Sequence, residues 1–198
     1  MGRIVFFDPE TDSVKTGSAQ IVQIAAVAVD ADYREVSSFS RLLRFDESKA
    51  DPKALEINHY DRERWAREAV PVAAGLAEFC AWAKPTLDVQ KISKAGNPYY
   101  VGTLCGYNAA AFDAPILQRV CKDQGIFLPF DFRVRDAFLV AVSICDFLGV
   151  TLKDYKLGTV AEHFGAPVAK AHDALSDVRT TVALMRTFRD MFTAKAAA

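Results

Sequence analysis

An apolar segment near the start of the chain ends abruptly in acids. Arg3–Phe7 is predicted to form a buried strand, and Asp8 and Glu10 follow it directly. Residues two apart on an extended backbone point to the same face, so both carboxylates are expected side by side at one edge of a sheet. Such a pair is tolerable when a cation lies between the two charges. A solvated acidic turn is the alternative interpretation.

Four further strands follow from the apolar pattern. Ala19–Asp30 is apolar on both faces, which is typical of a strand deep in a sheet, and Val36–Phe45 alternates imperfectly. Together with the first strand, these two segments predict an antiparallel meander. Two later strands are predicted at Tyr100–Gly106 and Phe132–Asp136.

Helical periodicity recurs along the chain from Val70 onward. The predicted helices span Val70–Ala83, Asp113–Gln124, Ala137–Leu148, Leu157–Phe164 and Asp173–Phe192. Ala137–Leu148 is apolar nearly all round, so it is expected to be well buried. Strands first, then strands alternating with helices, predict a mixed-sheet α/β fold. No repeat or linker is visible, so residues 1–193 are predicted to form a single domain and residues 194–198 a frayed tail.

Composition narrows the class of protein but not its function. The chain has 198 residues, is 51% hydrophobic and carries a net charge of −1, so bulk charge does not indicate nucleic-acid binding, although a local basic groove is compatible with it. The four cysteines show no CxxC spacing, which favours buried thiols in a reducing compartment. The chain shows no signal-peptide pattern and no apolar run of ~18 residues, so a cytoplasmic protein without a membrane role is expected.

Two more acidic groups occur where the predicted elements begin. Asp113 stands at the start of a helix after a strand and a turn, where it is either a functional acid or an N-cap. His172 and Asp177 flank the start of the last helix. The plainer interpretation is that Asp173 caps this helix and His172 is a solvated neighbour.

Taken together, these side chains form a set suited to hydrolysis of phosphodiesters. Asp8, Glu10, Asp113 and Asp177 offer hard oxygen ligands, which suit magnesium or manganese. Four carboxylates can hold two ions ~3.5–4 Å apart, an arrangement that clamps both sides of an in-line phosphoryl displacement. His172 is a candidate general base because an ordinary imidazole titrates near neutral pH.

Three motifs, in order, carry a resemblance to a known family. They are Phe7–Thr11, then Gly106–Asn108 through Phe112–Asp113, then Lys156–Gly165 followed by Ala171–Asp177. This order resembles that of the DEDDh 3′–5′ exonucleases, which have an RNase H-like fold. The spacing is closest to that of bacterial exonuclease I and of proofreading exonuclease subunits. Arg135–Asp136 also matches a strand-end position of the family.

The resemblance implies a fold, an activity and a set of site residues. The implied fold is an RNase H-like mixed sheet of about five strands with helices on both faces. The implied reaction removes nucleoside 5′-monophosphates from the 3′ ends of single-stranded DNA. Two Mg²⁺ or Mn²⁺ ions would be held by Asp8, Glu10, Asp113 and Asp177, with His172 as general base and Thr11, Asn108 and Phe112 beside the terminal nucleotide.

Other functions remain compatible with the same residues. The substrate would be RNA or a short oligonucleotide if the site accepts a 2′-hydroxyl, which the sequence does not reveal. The chain would instead be a non-catalytic module if it binds nucleic acid or a polymerase without cutting. A polymerase or another replication or repair protein is the partner that the family implies.

Two departures from the family pattern raise questions about geometry. Pro9 separates the first two acids and cannot donate to a sheet ladder, so the strand is expected to end or bulge at Asp8. Gln23 stands where many relatives carry an acid.

A hairpin is predicted at residues 86–102, with its turn at Ala95–Asn97. Its segment Val89–Tyr100 is longer than the proofreading relatives need, which is a third departure from the family pattern. It combines positive charge with aromatic rings, as single-strand grooves do, in Lys91, Lys94, Tyr99 and Tyr100. We hypothesise that this segment is a flap over the substrate strand; the alternative is an ordinary surface hairpin with its rings packed down.

Overall fold

The computed structural model describes residues 3–168 and 173–196. The strands are β1 (Ile4–Thr11), β2 (Ile21–Val29), β3 (Glu35–Leu42), β4 (Val89–Ile92), β5 (Pro98–Val101), β6 (Thr103–Gly106) and β7 (Arg135–Asp136). The helices are α1 (Pro52–Ile57), α2 (Arg62–Glu68), α3 (Val72–Ala83), α4 (Asp113–Asp123), α5 (Ala137–Leu148), α6 (Leu157–His163) and α7 (Ala174–Ala196). Among the described residues, no helix is both long enough and apolar enough to cross a membrane.

Five strands form one mixed sheet in the order β3-β2-β1-β6-β7. The first three strands pair antiparallel, which confirms the predicted meander. β6 and β7 are parallel to β1 and to each other, so their carboxyl ends meet at one edge of the sheet. The predicted mixed α/β fold with about five strands is confirmed.

Helices cover both faces of this sheet because the strand residues alternate between them. Val5 and Phe7 pack in a cluster with residues of α3 and α4. Ile4 and Phe6 pack in a second cluster with residues of α7. The even-numbered residues of β1 therefore face α7, and this parity decides where Asp8 and Glu10 point.

β1 continues through Pro9 without interruption. Pro9 lies opposite Ile24 of β2, and the register shifts only between Glu10 and Thr11. β6 pairs with β1 over Ile4–Phe6 alone, so beyond that point β1 has a neighbour on one side only. A proline is compatible with such an edge position. The expectation of a strand end or bulge at Asp8 was therefore wrong, and the pleat carries both carboxylates to one face.

The predicted strand Tyr100–Gly106 is in fact two strands. β5 pairs with β4 in a separate two-stranded hairpin, and β6 joins the main sheet. Gly102 separates them, since its N–H donates to the Pro129 carbonyl and its carbonyl accepts from the Asp131 N–H. Each strand consequently belongs to a different sheet. The predicted hairpin itself, with Gly96 in a left-handed conformation at its turn, is confirmed.

α5 is less buried than its composition predicted. Its inner face is formed by small or medium side chains such as Ala141 and Ile144. Leu139 and Phe147 are exposed, the latter by 85%. The prediction of a helix buried nearly all round was therefore wrong for one face. The predicted strand Phe132–Asp136 is also shorter, since only Arg135 and Asp136 pair with β6.

Candidate active site

Two strand acids and one helix acid converge at the end of β1. Asp8 and Glu10 lie on the face of the sheet that α7 covers, and Asp177 lies in the first turn of α7. One carboxylate oxygen from each of the three residues lies within 4.8 Å of the other two. The predicted spacing of Asp8 and Glu10 thus brings both side chains to Asp177, a third acid far along the chain.

The fourth predicted acid, Asp113, lines the same cavity from α4. This acidic pocket has a volume of about 310 Å³ and contains all four acids. Asp113 is buried and is the first residue of α4, where the residue in the N-cap position is Phe112 and no side chain caps the helix. The interpretation of Asp113 as an N-cap was therefore wrong. By contrast, Asp173 accepts hydrogen bonds from the Ser176 N–H and hydroxyl, which confirms its predicted capping role.

The acids strongly perturb one another. Burial, together with the charges of Asp177 and Asp173, raises the pKa of Glu10 to about 7. Burial likewise raises the pKa of Asp113 to about 7, with contributions from Glu10 and Asp136. The pKa of Asp8 is raised well above its usual value, first by burial and then by Asp113, Glu10 and Asp177.

This arrangement has the chemistry of a divalent-cation site. Among the described residues that line the acidic pocket there is no lysine or arginine to balance the four carboxylates. Hard carboxylate oxygens, without cysteine, fit magnesium or manganese. An ion between the carboxylates would remove the repulsion that raises their pKa values. The residues present therefore fit the predicted type of cofactor.

Asp136 organises the turn that leads from β6 to α4. Its two carboxylate oxygens accept hydrogen bonds of 3.0 Å from the backbone N–H groups of Asn108, Ala110 and Phe138. Asn108 has a φ of 59°, a left-handed conformation that asparagine tolerates better than most residues. Sequence reasoning noted Asp136 only as a strand-end match. Its hydrogen bonds explain why an acid stands there, because one carboxylate holds both the turn and the start of α5.

The residues predicted beside the terminal nucleotide lie around the acidic pocket. Thr11, Asn108 and Phe112 all line it. Asn58 of the segment after α1 donates a 2.8 Å hydrogen bond to the Thr11 carbonyl, and it lines the pocket as well. Sequence reasoning missed Asn58, since nothing in the local pattern shows that the α1 region folds back onto β1.

A larger groove of about 680 Å³ adjoins the acidic pocket. The two cavities share Tyr107, Asn108 and Asp177, so they are continuous. The rest of the groove includes Lys153 and Lys156, which precede α6. Sequence reasoning did not assign these lysines to the site. Lys156 begins the third motif, but the charge pattern of the run Lys153–Lys156 gives no signal that sets it apart from a solvated loop.

The predicted substrate-binding residues of the hairpin do not line the acidic pocket. Lys91 forms a 2.6 Å ion pair with Asp131, and the Tyr99 ring packs edge-on against Phe127. The hairpin joins the sheet near Arg3, whose N–H donates to Asp88, at the end of β1 opposite to the acids. Its predicted substrate-binding residues, Lys91, Lys94, Tyr99 and Tyr100, line neither the pocket nor the groove.

The predicted general base, His172, lies outside the described residues 3–168 and 173–196. Its predicted role therefore stays a prediction. In the chain, His172 directly precedes Asp173 and lies two positions before Ala174, the first residue of α7.

Comparison with known proteins supports the same family. The chain is 27% identical over 184 residues to the DNA polymerase III subunit epsilon of Treponema pallidum, covering 91% of this chain and 74% of that protein. Its fold matches E. coli exonuclease I in complex with a dT13 oligonucleotide, with a TM-score of 0.75, 18% identity and 99% of this chain covered. Exonuclease I from Methylocaldum szegediense matches with a TM-score of 0.72 and 19% identity over 96% of this chain.

The resemblance to the DEDDh exonuclease superfamily is confirmed. Its RNase H-like fold is shared over nearly the whole chain, and the relatives support the prediction of an enzyme of the 3′–5′ exonuclease class. No family model matches the chain. The chain spans 43% of the length of E. coli exonuclease I and 41% of the Methylocaldum protein.

Proposed function

We propose that this chain is a metal-dependent 3′–5′ exonuclease that releases nucleoside 5′-monophosphates from the ends of single-stranded DNA. The observation that carries the proposal is the convergence of Asp8, Glu10 and Asp177 within 4.8 Å, with Asp113 in the same pocket. Four carboxylates in one small pocket are costly to the fold unless they bind a cation. This cost is explained if the site is built for divalent ions.

In the proposed mechanism the four acids would hold two Mg²⁺ or Mn²⁺ ions at the end of β1, where the scissile phosphate would lie. When bound, such ions supply positive charge to the phosphodiester and lower the pKa of water. The carboxylates orient the attacking water and stay ionised in the presence of the ions. Thr11, Asn108 and Phe112, which line the pocket, position the terminal nucleotide.

His172 is proposed as the general base that takes the proton of the attacking water. An imidazole is suited to this step because its ordinary pKa is close to neutral pH. It directly precedes Asp173, the residue that caps α7, and α7 carries Asp177. The histidine is thus tied in sequence to the helix that bears a metal ligand.

The relatives support the proposed substrate and partner. E. coli exonuclease I has been crystallised with the oligonucleotides dT13 and dA16, which supports single-stranded DNA as the substrate. The similarity to a DNA polymerase III subunit supports a polymerase as a partner. All four cysteines are free thiols, as expected for the proposed cytoplasmic location.

A cleavage assay tests the proposal directly. Single-stranded DNA, duplex DNA and RNA, each labelled at either end, are incubated with the protein in magnesium or in EDTA. We expect 5′-monophosphates from single-stranded DNA in magnesium only, and no products from Asp8→Asn. The control is Asp146→Asn, an exposed carboxylate on α5, which should cleave normally. Cleavage in EDTA or by Asp8→Asn would contradict the metal mechanism, and binding without cleavage would favour a non-catalytic module.

The role of His172 requires a separate measurement. If the imidazole is a base and not a metal ligand, His172→Ala should slow cleavage while leaving magnesium affinity nearly unchanged. Magnesium binding is measured by calorimetry in the absence of DNA. Loss of magnesium binding in His172→Ala would show that the histidine is a ligand.

A further inference from the structure

The short helix α1 forms one wall of the acidic pocket although the core does not hold it there. Ala54 and Ile57 of α1 and the residue that follows it, Asn58, line the pocket, yet no residue of α1 is buried. A helix of six residues is also too short to be stable through its own propensity. The position of this wall must therefore be fixed by contacts at the ends of the helix.

Both ends of α1 are attached to the chain where β1 ends. The backbone N–H of Asp51, the N-cap residue of α1, donates a 2.9 Å hydrogen bond to the Asp12 carbonyl. At the other end of the helix, the Asn58 side chain donates a 2.8 Å hydrogen bond to the Thr11 carbonyl. Two consecutive carbonyls thus hold the wall, and its position depends on how firmly Thr11 and Asp12 are held themselves.

Gln20 holds Asp12 in place. The Asp12 carboxylate is only 2% exposed, and one of its oxygens accepts a 2.7 Å hydrogen bond from the Gln20 backbone N–H. Its other oxygen accepts a 2.6 Å hydrogen bond from the Gln20 side-chain amide, and the Asp12 N–H donates to the Gln20 carbonyl at 3.0 Å. A buried carboxylate is costly without such donors, so these bonds keep Asp12 in this position.

The side chain of Gln20 also binds the segment that leads into α1. Its Nε2 donates a 3.0 Å hydrogen bond to the Asp46 carbonyl, and its Oε1 accepts a 2.9 Å hydrogen bond from the Asp46 N–H. The amide therefore satisfies both backbone groups of Asp46 and still donates to Asp12. One side chain joins the approach to α1 to the point at which α1 is attached.

The part of β1 that carries the proposed metal ligands is held differently. Asp8 and Glu10 belong to the ladder with β2, in which Glu10 lies opposite Gln23, and the register shifts only between Glu10 and Thr11. Backbone pairing therefore holds the two acids, whereas side-chain contacts hold the residues after the shift. Loss of the Gln20 side-chain contacts should move the α1 wall and leave the acids in place.

We propose that Gln20 is a positioning residue of the exonuclease, which acts through Asp12 and Asp46 to hold α1 against the acidic pocket. The inference rests on the proposed function, which assigns the terminal nucleotide to this pocket. A displaced wall weakens the binding of the strand, while the metal ligands keep their geometry. A purely structural role would instead lower stability without a selective effect on KM.

Variants of the Gln20–Asp12 pair test the proposal. Gln20→Met keeps the size of the side chain and removes its hydrogen bonds. Gln20→Glu places a second acceptor against the Asp12 carboxylate. The double variant Asp12→Asn/Gln20→Glu exchanges donor and acceptor, so it restores the bond between the two side chains and loses only the donor to the Asp46 carbonyl. The control is Thr86→Val, which removes a buried 2.7 Å hydrogen bond to the Ala83 carbonyl near the start of β1.

We expect Gln20→Met to raise KM for a ten-nucleotide single strand by about three- to tenfold, the effect of one lost hydrogen bond, with kcat and magnesium affinity changed less than about twofold. Gln20→Glu should raise KM at least as much, and the double variant should bring KM back towards the wild-type value. Hydrogen exchange of residues 51–58, followed by mass spectrometry, should be faster in Gln20→Met. Thr86→Val should lower the Tm and leave both KM and this exchange unchanged.

The outcomes separate this inference from the proposed function. If the wild type cleaves no strand, the proposed function fails, and the hydrogen exchange of Gln20→Met alone then decides whether Gln20 holds α1. If the wild type cleaves but Gln20→Met keeps the wild-type KM, or the wild-type exchange at residues 51–58, the positioning role is wrong and the exonuclease function stands. Loss of magnesium binding in Gln20→Met would also contradict the role, because it would place the effect at the metal ligands. An equal rise of KM in Thr86→Val would attribute the effect to general loss of stability.

Discussion

The Asp136 carboxylate accepts a 3.0 Å hydrogen bond from the backbone N–H of Asn108, 28 residues earlier in the chain. Its other oxygen accepts from the Ala110 N–H, also at 3.0 Å. The end of β7 is thereby joined to the turn after β6, and this turn leads directly into Asp113. One buried carboxylate therefore fixes the approach of the second motif to the acidic pocket.

Removal of this carboxylate should damage both stability and cleavage. In Asp136→Ala, the N–H groups of Asn108, Ala110 and Phe138 lose their acceptor, which should lower the free energy of unfolding by about 2–4 kcal/mol. Asp136→Asn keeps one acceptor oxygen, so its free energy of unfolding should fall by less. Urea unfolding and the rate of strand cleavage measure the two effects. Asp146→Ala is the control, and wild-type stability in Asp136→Ala would refute the structural role.

Stability of the metal-free protein should fall as pH rises. The pKa values of Glu10 and Asp113 are raised to about 7, mainly by burial, so the folded state holds more protons than the unfolded state between about pH 4 and 7. The free energy of unfolding then decreases with increasing pH across this window, by on the order of 1–3 kcal/mol for each carboxylate. Thermal unfolding in EDTA from pH 5 to pH 8 measures this trend.

Magnesium and neutral variants provide the controls for this pH dependence. Magnesium should raise the Tm more at pH 8 than at pH 5, because its ligands must be deprotonated. Glu10→Gln and Asp113→Asn should each flatten the pH dependence in EDTA, since the amides do not titrate. An unchanged slope in both variants would show that other groups cause it.

The sequence determined much of the site because its signals are local. Asp8 and Glu10 share a face through the period of two in a strand, and this period survives at Pro9 because β6 pairs only with Ile4–Phe6. That edge position depends on tertiary pairing, which explains why the bulge predicted at Asp8 is absent. The break at Gly102 was missed for the same reason, as it depends on contacts with residues near Phe130.

The groove could not be derived from local patterns. Its wall combines the β6–α4 turn with the segment before α6, and the bond from Tyr107 to Tyr155 that joins them spans 48 residues. The charge pattern at Lys153 and Lys156 is ordinary in a solvated loop. Only the packing of the two segments shows that these lysines lie beside the acids.

A methyl group at Gly106 should disturb the acidic pocket. A Cβ at this position would lie 2.6 Å from the Ala109 Cβ, closer than real Cβ contacts, and 3.0 Å from the Phe7 carbonyl oxygen, which is also a tight contact. Gly106→Ala should therefore lower the free energy of unfolding by about 1–3 kcal/mol and slow cleavage, because Phe7 directly precedes Asp8. Circular dichroism during thermal unfolding and a cleavage assay measure these effects.

Two further variants make the Gly106 experiment specific. Ala109→Gly in the Gly106→Ala background removes the closer contact and should restore part of the stability. Gly17→Ala is the control, since a Cβ there meets nothing within 4 Å. Wild-type stability and activity in Gly106→Ala alone would show that the turn adapts without cost.

Replacement of Lys91 distinguishes a structural hairpin from a flap over the strand. The Lys91 ammonium lies 2.6 Å from Asp131, whose side chain is only 12% exposed. The pKa of Asp131 is lowered to about 2, and the hydrogen bond from Lys91 is the main cause. Lys91→Ala should therefore lower the free energy of unfolding by about 1–3 kcal/mol at pH 7, because a mostly buried carboxylate loses one of its two cationic partners and keeps only Arg133.

The pH dependence and the salt dependence complete this prediction. A lowered folded-state pKa means that the stabilisation is present above about pH 4 and is lost as pH falls through 2, so the difference between wild type and Lys91→Ala should shrink in acid. Lys94→Ala, at the exposed hairpin turn, should not change stability. If the hairpin is also a flap, both variants weaken affinity for a long strand, most strongly at low salt. Unchanged affinity in both variants would leave the hairpin a structural element alone.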